Sequence, residues 1–121
     1  MDKTNIILGF IALILLIVII SLSYNTILYP SYMSYKLSCG VPLTQEQNNS
    51  GIIAGTYSYN ASSNTSSIYI NNCLMPEEQT KTLKHELCHA NQQQKGRLFA
   101  CTFPLGVIAN EMECYFVEKY T

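Results

Sequence analysis

Residues 6–24 (IILGFIALILLIVIISLSY) are apolar almost throughout, with only Ser21 and Ser23 interrupting the run. As a helix rising about 1.5 Å per residue, this run spans about 28 Å, close to the roughly 30 Å of a bilayer core. The pattern predicts a membrane-spanning anchor over residues 1–24. A cleaved signal peptide is the competing reading, since Ser21 and Ser23 suit a cleavage site. Signal peptides, however, carry a shorter apolar stretch of about 7–15 residues and a more basic leader than the single Lys3 here.

Beyond the anchor the periodicity breaks at Pro30, Pro42 and the polar run 45–50, which predicts a linker over residues 25–50 with one short helix. Strand-forming residues then fill 52–59 (IIAGTYSY) and 67–71 (SIYIN), with turn chemistry between them (NASSNTS). The pair predicts a β-hairpin. After Cys73, Pro76 followed by Glu77 and Glu78 marks a helix start, because proline suits the first turn and acids complement the positive end of the dipole. Leu83, Leu87 and Ala90 recur at helical spacing as a predicted buried stripe, and the helix stops near Gly96. A last helix runs from about Pro104 to about Tyr120, with Val107, Ile108, Met112, Tyr115 and Phe116 as its apolar face. The fold class is therefore α+β: an anchor followed by one small domain over residues 51–121.

Net charge is −1 with 12% charged residues and no basic run, which argues against a nucleic-acid partner. Lys3 precedes the anchor and no charge follows it until Lys36. This balance predicts a cytoplasmic N-terminus and an extracellular or lumenal domain. Sequons at Asn48, Asn60 and Asn64 agree with translocation. So do five cysteines, a high number for a reducing compartment. Five is odd, so one thiol is free or pairs between chains.

The chemistry concentrates in His85-Glu86-Leu87-Cys88-His89, an H-E-x-x-H pattern that contains both histidines of the chain. On a helix His85 and His89 share a face and can hold one metal ion. An open zinc site lowers the pKa of a water to about 7, and Glu86 stands beside it to take the proton. The pattern points to metal-assisted hydrolysis, with a peptide or protein as substrate. Such a site needs a third protein ligand, and no further histidine exists, so a carboxylate or thiolate must serve. Cys88 lies about 100° from His89 and about 60° from His85 around the helix, so it does not point with both toward one ion. On the last helix Glu111 and Glu113 lie about 200° apart, and only one of them can face the site.

This arrangement resembles the zincin metallopeptidases, and within them the gluzincins, whose H-E-x-x-H helix is followed by a helix bearing a glutamate ligand. Asn110-Glu111-Met112-Glu113-Cys114 is similar to their N-E-x-x-small element. By that resemblance Glu111 is the ligand beside His85 and His89, zinc is the cofactor, and Glu86 is the catalytic base. Tyr115 stands where the family places an acid that supports a ligand histidine. Gly55-Thr56-Tyr57 and Ile68-Tyr69-Ile70-Asn71 look like the strands that precede the metal helix, the latter resembling the edge strand along which substrate lies. Cys114 occupies the small position that packs on the metal helix, which suggests a Cys88–Cys114 disulfide. The resemblance implies a membrane-anchored zinc peptidase. The alternative is an inactive zincin scaffold kept as a zinc-stabilised binding or structural module.

Overall fold

The computed structural model describes residues 2–41 and 53–121. Pro42, the 45–50 run, the sequon at Asn48 and Ile52 lie outside the described residues.

Helix α1 spans Lys3–Ser23 and buries none of its residues. Asp2 caps it by accepting from the Thr4 amide. The chain then passes through a π turn, Tyr24–Leu28, into α2, Tyr29–Ser38. Together these make one 36-residue helix, Lys3–Ser38, long and apolar enough to cross a membrane or to act as a signal sequence. The break expected at Pro30 does not occur. Proline lacks an N–H and crowds the carbonyl one turn back, and the wider turn just before it relieves both problems. There the Tyr29 amide reaches back to the Tyr24 carbonyl. Asn25 and Thr26 side chains donate to the Ser21 and Leu22 carbonyls at 3.1 and 2.7 Å.

Strands β1, Gly55–Asn60, and β2, Thr65–Ile70, form an antiparallel hairpin in register from Gly55↔Ile70 to Asn60↔Thr65. The second strand starts earlier than its side-chain pattern predicts because the turn is tighter. Asn60 Oδ1 accepts from the Ser62 amide at 3.0 Å, and Asn64 adopts a left-handed φ of 51°. Thr65 and Ser66 are thereby drawn into the ladder. Asn60 and Asn64 both sit at this exposed end of the hairpin.

Helix α3 spans Pro76–Gln94 and α4 spans Pro104–Tyr120, as the proline and acid signals indicate. The buried faces differ from the expected ones. Leu83 and Leu87 are 42% and 51% exposed, whereas Thr82, His85, Glu86, Cys88, His89 and Gln92 are buried. On α4, Phe116 is exposed while Asn110, Glu111 and Cys114 are buried. The helices meet through polar side chains because those side chains find partners across the interface, which removes the cost of burying them. Among the described residues, the only buried hydrophobic side chains are Cys88, Val107 and Cys114. Disulfides supplement this small core. Cys88–Cys114 joins α3 to α4, and Cys39–Cys101 joins the end of α2 to the loop before α4. Cys73 is an exposed free thiol.

Gly55 marks where the hairpin touches α3. A Cβ there would lie 2.6 Å from Thr82 Cγ2 and 2.8 Å from the Tyr69 carbonyl oxygen. Gly55→Ala is therefore expected to destabilise the fold by about 1–3 kcal/mol, since the cross-strand backbone must shift. Thermal unfolding of the detergent-solubilised chain measures it.

Candidate metal centre

Helix α3 presents His85 and His89 one turn apart, and α4 crosses it so that Glu111 faces both. His85 Nε2 lies 3.1 Å from Glu111 Oε2, and His89 Nε2 lies 3.2 Å from Glu111 Oε1. The two Nε2 atoms are 3.2 Å apart. All three residues are buried.

The partners on the far side of each ring decide which nitrogen carries the proton. Gln92, fully buried, donates through Nε2 to the Asn110 carbonyl and to Glu113, both at 3.0 Å. Its Oε1 therefore faces His89 Nδ1, 2.9 Å away, and must accept from it. His85 Nδ1 lies 3.1 Å from Glu118 Oε2, a carboxylate that accepts likewise. Both neutral rings thus aim an Nε2 lone pair at one point, which the Glu111 carboxylate also faces. With both rings neutral, three acceptors converging on a buried point suit a metal cation there. A tetrahedral zinc with bonds of about 2.0–2.1 Å sets its ligand atoms about 3.3 Å apart. The two histidine nitrogens, 3.2 Å apart, match that spacing, and each has one Glu111 oxygen at a similar distance, so the donor set fits the ion.

The same geometry shapes the titration of the metal-free protein. Burial opposes charge on His85, but hydrogen bonds to Glu111 and Glu118 outweigh it and raise its pKa to about 9. Burial also works against the Glu111 carboxylate, and bonds to His85 and His89 overcome it, lowering its pKa to about 2. Burial raises the Glu86 carboxyl above the usual range.

Glu113, the other candidate, turns away and pairs with Arg97 through both oxygens, at 2.9 and 3.0 Å. Cys88 is tied up in its disulfide with Cys114. Tyr115 does not stand in for the missing acid: its ring packs edge-on against His85, centroids 4.4 Å apart, and its hydroxyl meets Ser34 Oγ at 2.9 Å. Glu118 supplies the acid instead. It lies one turn beyond Tyr115 on the same helix face as Glu111, a spacing of seven residues that was legible in the sequence. Gln92, three residues after His89, was equally open to helical counting. No local signal marks Ser34, which reaches the site only through the tertiary fold.

A cleft of about 480 Å³ opens onto His85, Glu86, His89 and Glu111. One wall is β1 at Gly55, Thr56 and Tyr57, and the other is the end of α2 at Ser34, Leu37, Ser38 and Cys39. The strand beside the metal site is thus β1 rather than the Ile68–Asn71 stretch that the resemblance suggested.

A helix pair that brings an H-E-x-x-H face against a glutamate defines a metal-site protein of the peptidase kind. The model of the Peptidase M78 family, described as the IrrE N-terminal-like domain, matches residues 45–113. That is more than half of the 121 residues, and the chain belongs to this metallopeptidase-type family. No curated protein and no solved structure matches the chain. The match takes in His85, Glu86, His89 and Glu111 but ends before Tyr115 and Glu118.

Two outcomes follow from the arrangement. The proton on His85 must leave before a metal can bind, so affinity is expected to rise with pH below about 9 and to level off above it. Calorimetry at pH 7 in buffers of different ionisation enthalpy should count close to one proton released per zinc. Glu118→Gln is expected to weaken zinc binding about 10–100-fold, read by competition with a chelating dye.

Proposed function

We propose that the chain is a membrane-anchored, zinc-dependent peptidase of gluzincin type, with His85, His89 and Glu111 as ligands and Glu86 as general base. The convergence of two buried imidazoles and a buried carboxylate within 4.8 Å of one another carries this reading, and membership of a metallopeptidase-type family supports it. When bound, zinc acidifies a water molecule and polarises the scissile carbonyl. Glu86 lies in the turn between the two histidines, buried at the cleft floor. Its carboxylate takes the proton of the attacking water and passes it to the leaving amide nitrogen. Burial, which raises its pKa, brings it closer to the range suited to that exchange.

Ser34 lines the cleft, and Tyr115, hydrogen bonded to it, lines an adjoining cavity beside His85 and Glu86, so that one hydroxyl proton of the pair is left to offer to the carbonyl oxygen. Burial first, then the acidic neighbours, holds the Tyr115 phenol protonated and able to donate. Substrate lies along the free edge of β1 as an added strand, its backbone paired with Gly55–Tyr57. The apolar helix anchors the protein, with the domain on the extracellular or lumenal face and Asn60 and Asn64 available to glycan transfer.

The reading of an inactive scaffold rested on Tyr115 in place of a supporting acid. Glu118 supplies that carboxylate at 3.1 Å from His85, which favours the active reading.

Glu86→Gln is expected to keep one zinc per chain while lowering peptide hydrolysis about 10²–10⁴-fold. Elemental analysis together with mass-spectrometric profiling of a decapeptide library checks both. Unchanged cleavage by that variant would falsify the mechanism.

A further inference from the structure

The cleft and the apolar span share one helix. Lys3–Ser38 runs without a break through the turn at Tyr24–Leu28, and its last residues form a wall of the cleft. Three features fix that wall to the domain. Helix α2 packs along α4, Ser34 is hydrogen bonded to Tyr115, and Cys39 is joined to Cys101. The connection is therefore a strut rather than a tether, and it sets the height of the site above the membrane.

That height is short. Ser34 lies ten residues beyond Tyr24, the end of the apolar run, which is about 15 Å along a helix and less if the helix tilts. The headgroup layer occupies about 5–7 Å of it. Tyr24, Tyr29 and Tyr32 project from this stretch as exposed aromatics, and Lys36 Nζ sits 5.0 Å from the Tyr32 ring centre. Amphipathic rings followed by a cation are what a helix carries where it leaves the bilayer.

We propose, on the basis of the anchored-peptidase reading above, that the substrates are juxtamembrane segments: peptide stretches of other membrane-embedded polypeptides, cut within about five extended residues of their own span. A bond much farther from the bilayer lies above the reach of a cleft held this low.

The test uses the full chain in phosphatidylcholine vesicles and single-span reporters carrying the best-cut decapeptide from the soluble library. In one reporter that sequence follows the span directly, so that its scissile bond lies about five residues past it. In the other it follows a rigid helical spacer of 30 residues, about 45 Å long. A variant with an 11-residue helical insert between Ser23 and Tyr24 raises the domain by about 16 Å, close to three whole turns, and leaves residues 24–121 unchanged. The near reporter should be cut at least ten-fold faster than the far one. The insert should slow near cleavage about ten-fold while hydrolysis of the free decapeptide stays the same. Equal rates on both reporters, or an insert variant that behaves like the parent, would overturn the proposal. Failure to cut any decapeptide, or release of the chain by alkaline carbonate, would remove the peptidase or the anchor reading itself, and this inference with it.

Discussion

The structure depends on one electrostatic constraint: two imidazole lone pairs and a carboxylate, all buried, point at the same place. Gln92 and Glu118 hold the rings in the tautomers that create this convergence. Left without a cation such a cluster repels itself, and in the metal-free protein a proton on His85 relieves it. A metal ion does so more completely, because it satisfies all three acceptors together. A metal bound there would for this reason stabilise the fold as well as fill the site.

The rest of the domain is spare. A buried set made mostly of polar side chains yields little hydrophobic stabilisation, so covalent links take a larger share. In the chain-entropy description, loops closed by sequence separations of 26 and 62 residues stabilise by about 3–4 kcal/mol each. The Cys88–Cys114 bridge ties together the two helices that carry the ligands, with Cys114 Sγ 3.4 Å from His89 Nδ1. It therefore limits the drift of Glu111 away from the histidines. The Cys39–Cys101 bridge acts on the cleft instead, by fixing the helix that forms its second wall.

The family match over residues 45–113 covers the candidate ligands and Glu86 but not α2 or the last turns of α4. Ser34, Tyr115 and Glu118 come from those flanking segments and close around His85 from one side. The candidate metal site thus draws supports from both sides of the matched segment, one of them from the helix that continues the apolar span. An apolar helix whose end is also a cleft wall cannot move independently of the site.

Much of the site was legible from residue order. Helical spacing alone put His85 and His89 on one face, Pro76 and Glu77 set the start of their helix, and N-E-x-x-small singled out Glu111. Counting one turn further would also have found Glu118. Burial was less legible: Leu83 and Leu87 have the right spacing for a core stripe, yet they face outward because α4 packs on the polar side of α3. Periodicity specifies a face, but the neighbour that covers it is a tertiary matter. The same holds at Pro30, where a proline that locally signals a break is absorbed by a π turn and by packing of α2 against α4. Local chemistry by itself determined the elements and the candidate metal-binding residues. Only the packing of distant segments decided which faces are buried, which carboxylate supports His85, and that the apolar helix ends as part of the cleft.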